Sequence, residues 1–106
     1  TDWPRILAFY NQIVKLNASP VVALNRAVAL ARVHGPRAGL DALDAISPCA
    51  SLERYALYHA VRGTFASELG RKPEALSHFH KAESLATLPS EREFLARRIH
   101  ECSELR

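Results

Sequence analysis

Five histidines, two cysteines and a few spaced carboxylates are the residues of this chain whose types could do chemistry. His78 and His80 invite a metal reading, because imidazoles one helical turn apart can grip a single ion. Their i, i+2 spacing instead turns them about 200° apart on a helix, so they cannot share one. They flank Phe79 and read as the polar sides of an amphipathic helix, while His34 falls at a helix end and His100 on an exposed face. Asp41 and Asp44 share a face, as carboxylates working in acid–base catalysis would. Arg37 precedes Asp41 by four, which predicts an ordinary surface ion pair of about 0.3–0.5 kcal/mol. No Ser, Cys or Lys nucleophile stands beside a base in any known pattern, and the four glycines are scattered rather than gathered into a phosphate cradle. These residues point away from an enzyme and from a metal or other cofactor. Cys49 and Cys102 form neither a C-x-x-C motif nor a disulfide framework, and read as reduced cytosolic thiols.

Other polar residues stand where burial is expected. A second helix, Pro20 to about Val33, is apolar nearly all round except for Asn25, Arg26 and Arg32; a fourth, about Leu52 to Leu69, is interrupted by His59, Arg62 and Thr64. A helix apolar on all sides is enclosed by neighbours, and unpaired polar groups inside are costly. Each must therefore either bond internally, fixing the helices, or line a solvent-filled groove. Asn25, Arg26, His59 and Arg62 are the candidate residues of a protein-interaction groove.

The elements that position them are helices throughout. Asp2 caps a first helix, about 3–16, with Trp3, Ile6, Leu7, Tyr10, Ile13 and Val14 at helical spacing; it stops near Asn17. Ser19-Pro20 supplies an N-cap and a proline at the first helical position. Gly35-Pro36 ends the second helix and starts a third, to about Ile46, with Gly39, Leu40, Leu43 and Ile46 on one side. A Ser47-Pro48 turn follows. The fourth helix carries a stripe of Tyr58, Val61, Phe65 and Leu69 and another of Ala56, Ala60 and Gly63, and Gly70 ends it in a left-handed cap. The fifth, Pro73 to Ala86, has a single stripe of Ala75, Phe79, Ala82 and Ala86. Ser90-x-x-Glu93 is a capping box opening a sixth, about 90–103, on which Leu95, Ile99 and Cys102 lie together.

Gly63, Gly70, Pro73, Ala75, Phe79 and Ala82 form the skeleton of a tetratricopeptide-like hairpin. Small Gly63 and Ala75 allow close approach and Phe79 fills the seam. Ala27, Gly39, Leu43 and Ile46 repeat this relation about 36 residues earlier, near the usual period. The expected fold is all-α: a right-handed superhelical stack within one domain over 1–106, with hairpins at about 20–46 and 52–86 between flanking helices. Such hairpins are interaction scaffolds more often than catalysts.

At 106 residues, 48% of them hydrophobic and 24% charged, the chain suits one globular core. It contains no methionine, even at position 1, and reads as a segment of a longer polypeptide. No apolar run approaches the roughly 18 residues that span a bilayer, because Asn25 and Arg26 interrupt the best candidate. The net charge of +3 is mild and its bases are interleaved with acids, so strong nucleic-acid binding is not expected.

The phrases Asp2-Trp3-Pro4-Arg5-Ile6, Ser19-Pro20-Val21-Val22-Ala23-Leu24-Asn25-Arg26-Ala27-Val28-Ala29, Gly35-Pro36-x-Ala38-Gly39-Leu40, Tyr58-His59-Ala60-x-Arg62, Leu69-Gly70-Arg71 and Glu91-Arg92-x-Phe94-Leu95-x-Arg97-Arg98 occur in that order. Together they resemble the C-terminal tetratricopeptide-like extension of bacterial extracytoplasmic-function RNA polymerase sigma factors, over nearly the whole chain. The resemblance implies a cytoplasmic, non-catalytic regulatory domain that tunes transcription initiation through contacts with the sigma core or RNA polymerase. It implies that DNA is read only by upstream sigma domains. A small YCII-related protein bearing a DGPF motif is a candidate partner. The alternative reading is a generic tetratricopeptide scaffold of another cytosolic protein; a nucleic-acid-binding role and a histidine-built metal or enzyme site stand behind these. The apolar first helix further suggests a homodimer, with Trp3 and Tyr10 near the contact.

Overall fold

Asp2 opens the first helix as its side chain predicts: Oδ1 accepts the Arg5 backbone N–H at 3.2 Å, satisfying one of the donors that every helix start leaves free. In the computed structural model, which describes residues 2–16, 19–46 and 50–104, α1 spans Trp3–Leu16, α2 Pro20–His34, α3 Pro36–Ala45, α4 Ala50–Glu53, α5 Ala56–Glu68, α6 Lys72–Leu85 and α7 Pro89–Glu104. The protein is all-α, with six helices of ten or more residues and one four-residue turn, α4, among the described residues. The expected ends at Asn17 and Ser47-Pro48, and the Cys49 thiol, lie outside those residues. The chain divides into two compact units, Thr1–Leu52 and Glu53–Arg106.

In the first unit α1 packs on α2 and α2 on α3. Leu7, Leu24, Ala27, Ala29, Leu40 and Leu43 are buried there. Ser19 has the extended backbone of an N-cap, without a side-chain cap bond, and Pro20 begins the helix. Gly35 separates α2 from α3 at φ 100° and ψ 166°, a conformation essentially closed to other residues. Ile46 caps α3 in extended conformation rather than belonging to it.

In the second unit α5 packs on α6 and α6 on α7. Ala66, Ala75, Phe79, Ala82, Ala86, Leu95 and Cys102 make one core, with Ile99 packed against it. Phe79 is fully buried, and a Cβ built on Gly63 would stand 2.8 Å from its ring. Gly63 is thus what lets α5 lie on Phe79, as its spacing predicts. Gly70, at φ 79°, closes α5 in a Schellman motif: Gly70 N–H donates to Ser67 O and Arg71 N–H to Ala66 O.

Further boundaries differ from expectation. The helix foreseen from Leu52 to Leu69 is broken after Glu53, with Tyr55 extended at φ −103° and ψ 114°. The Glu53 carbonyl, which an unbroken helix would bond to the Leu57 N–H, instead accepts His59 Nε2–H at 2.9 Å. The last helix begins at Pro89, not at a Ser90–Glu93 box; the Glu91 carboxylate reaches back to the Leu88 N–H at 3.2 Å. Proline preset for the first helical position and an acid two residues later move the start forward.

Candidate functional site

The first turns of α5 and α7 enclose a cleft of about 300 Å³ in the second unit, lined by Ala56, Leu57 and Ala60 on one side and Ser90, Glu91, Phe94 and Leu95 on the other. The alanines keep the α5 wall thin. Leu95 is buried as the floor, whereas Leu57 and Phe94 remain 44% and 45% exposed. Large apolar side chains half in water around a concavity can receive an apolar segment of a partner. The sequence showed Leu57 and Phe94 only as residues off the main stripes; that they meet depends on how α5 and α7 both pack on α6.

Behind this wall, His59 is 3% exposed and both its ring nitrogens are engaged. Nε2 donates to the Glu53 carbonyl, with the Glu53 carboxylate 3.7 Å from the same atom. Nδ1 faces His78 Nδ1 at 3.2 Å. The ring planes are 22° apart and their centroids 5.5 Å apart. That separation exceeds the Nδ1–Nδ1 distance by about two ring radii, so the nitrogens lie close to the line joining the centroids. The rings therefore meet edge to edge through a nearly linear N–H···N hydrogen bond. A shared zinc ion, about 2.0–2.1 Å from each nitrogen, would need the two lone pairs to converge at an angle. No cluster of three or more His, Cys, Asp or Glu that could hold a metal occurs among the described residues.

Burial, chiefly, and the nearby Arg62 guanidinium and His59 ring hold the His78 pKa below its ordinary value of 6.5, against the Glu74 and Glu53 carboxylates. His78 is thus more than a polar flank of its helix, while its neighbour but one, His80, is exposed. The pairing was hidden because the two histidines sit on different helices.

Of the other groove candidates, Arg26 donates from Nε to Asn11 Oδ1 at 2.6 Å, an internal tie between α2 and α1. Asn25 is half-buried. Arg62, also half-buried, lies over the Tyr58 ring at 5.5 Å. The enclosed Thr64 bonds back to the Ala60 carbonyl. Arg26 and His59 thus lie in internal hydrogen bonds, and His59 presents almost no surface. On α1, Trp3 is half-buried beneath Arg32, 5.9 Å away, and Tyr10 meets Phe9 edge-on. Phe9 and Leu16 are 63% and 89% exposed. Arg37 and Asp41 form the foreseen surface pair at 3.5 Å, and Cys102 is a free, buried thiol. No helix among the described residues is long and apolar enough to cross a membrane.

No family model matches the chain, and no solved structure does. It is similar to an uncharacterized protein of Rhizobium meliloti (strain 1021), with 40% identity over 95 residues, 90% of this chain. That length exceeds either unit, so the likeness covers parts of both. The chain spans 22% of the length of that relative.

Proposed function

We propose that the chain is a tetratricopeptide-like protein-interaction domain, of the kind that forms the C-terminal extension of extracytoplasmic-function sigma factors. It acts without catalysis, in the cytoplasm, tuning transcription initiation by contact with the sigma core or RNA polymerase. The single observation that carries a docking role is the apolar cleft between α5 and α7, with Leu57 and Phe94 half exposed at its mouth. The ordered phrases from Asp2 to Arg98 support the sigma-factor setting, and the hairpins α2–α3 and α5–α6, whose helices start 36 residues apart (Pro20 and Ala56, Pro36 and Lys72), support the repeat. DNA recognition belongs to upstream domains in this reading, and a YCII-related DGPF-motif protein is a second partner to test. The exposed Phe9 and Leu16 support self-association through α1, which F9E would weaken in sedimentation.

Reconstituted transcription by a sigma factor carrying this domain tests the reading. L57E and F94E should each lower output or alter its control at least several-fold, with helicity by circular dichroism unchanged. Unchanged output and unchanged polymerase binding would refute the sigma-factor role.

A further inference from the structure

The His59–His78 contact admits only certain proton arrangements. The Glu53 carbonyl can only accept, so His59 Nε2 must carry its hydrogen. In the neutral pair, His59 Nδ1 is then a bare lone pair, and His78 Nδ1–H must be the donor across the 3.2 Å gap. One added proton is accommodated at His78 Nε2, leaving the N–H···N bond in place and charge-assisted. A second added proton would set N–H against N–H and abolish the bond.

We propose that the His59–His78 pair is a proton-operated latch: it ties the first turn of α5 to α6 while one proton lies between the facing nitrogens, and releases when both carry one. Its consequence is local. His59 also holds the carbonyl at the helix break, and its neighbours Leu57 and Ala60 line the cleft. Release frees the α5 turn that forms one wall of that cleft.

The charged groups facing the pair set the direction. Arg62 on α5 opposes a second cation, whereas Glu53 before α5 and Glu74 on α6 favour one. The Tyr58 ring covers the edge of His59, and from α7 Arg98 lies over the adjacent Phe79 ring. Burial, foremost, holds His78 towards its neutral form. At His78 the unfolded chain therefore binds more protons than the folded one once pH falls below 6.5, the ordinary value. The His78 contribution to folded-state stability is complete above that pH and declines below it, and the latch opens only when both facing nitrogens carry a proton.

Long-range proton–nitrogen NMR on the whole chain at pH 7.5 tests the arrangement directly. His59 should be the Nε2–H tautomer and His78 the Nδ1–H tautomer; His59 as Nδ1–H, or both rings as Nε2–H, would overturn the proposal. Urea unfolding supplies the second arm. The wild-type midpoint should fall between pH 7.5 and pH 5. In H78Q, whose amide can still donate but cannot take up a proton, at least half of that fall should vanish, while H80Q behaves as wild type. An equal fall in H78Q and wild type would refute the latch, and if H78Q does not fold the tautomers alone decide.

Discussion

The two hairpins solve one packing problem with different residues. Ala27 and Leu43 in the first stand at the positions of Gly63 and Phe79 in the second, 36 residues on, and all four are buried. A ring on one helix requires the facing residue to lose its Cβ, while a smaller leucine leaves room for alanine. The polar pair follows the same register. His59 and His78 correspond to Ala23 and Ala42, so the second hairpin holds a part-buried hydrogen-bonded pair where the first holds two methyl groups. Between Ala27–Leu43 and Gly63–Phe79, volume is conserved across the seam rather than at a position. The seam can also exchange an apolar pair for a polar one, provided both members change.

The largest effect should come from removing the ring itself. F79A should destabilise the second unit by about 3–5 kcal/mol, since a fully buried aromatic leaves a cavity that Gly63 and the surrounding alanines cannot fill. L43A at the matching position should cost about 2–5 kcal/mol. Chemical denaturation followed by Trp3 fluorescence and by circular dichroism compares them. An F79A loss smaller than that of L43A would break the comparison.

The breaks between the helices of each hairpin also differ. Nothing lies within 4 Å of a Cβ built on Gly35 or Gly70, so backbone conformation alone decides what each tolerates. Gly35 lies at φ 100° and ψ 166°, which suits glycine almost exclusively; G35A should cost about 2–3 kcal/mol. Gly70 is in the left-handed helical region that asparagine can also enter; G70A should cost about 1 kcal/mol and G70N less. Equal losses for G35A and G70A in urea melts would contradict this.

What was legible in the sequence follows the same division between local and distant causes. The Asp2 cap, the Gly70 cap, the Arg37–Asp41 pair and the Gly63–Phe79 seam each depend on short spacing or on one helical hairpin, and all were readable. The break at Arg54–Tyr55 was not, because no proline or glycine marks it; the Glu53 carbonyl that it frees is taken by a side chain, His59. The Ser90 box misled because two acids, Glu91 and Glu93, follow Pro89, and proline's fixed φ selects the earlier start. The cleft was unreadable for a different reason. Leu57 and Phe94 are 37 positions apart in the chain, and their proximity comes from packing around α6.

The seam itself can be tested by exchange. G63A gains about 1 kcal/mol of helix propensity but drives a methyl into a ring 2.8 Å away, for a net loss of about 1–2 kcal/mol. G63A/F79L restores the combination found in the first hairpin. The double variant should therefore lose less than the two single changes together, by at least about 0.5 kcal/mol in a double-mutant cycle. Strict additivity would show that Gly63 and Phe79 are not a matched pair.

The smallest effect concerns the ion pairs, where exposure rather than distance should rank the two units. Arg37 and Asp41 are 3.5 Å apart with both side chains 68% exposed, whereas Arg98 and Glu101 are 3.7 Å apart with Arg98 only 27% exposed. Distance alone would favour the first. Water and salt screen it, however, and holding two long side chains together costs rotamer entropy, so D41N should change stability by less than about 0.5 kcal/mol. Arg98 is already ordered against the Phe79 ring, which reduces the entropy lost on pairing with Glu101. E101Q should therefore cost more than D41N, though still under about 1 kcal/mol, and should retain more of its effect in 0.5 M salt than D41N does. Urea midpoints measured at low and high salt separate the two, and a larger or more salt-resistant effect of D41N would reverse the ranking.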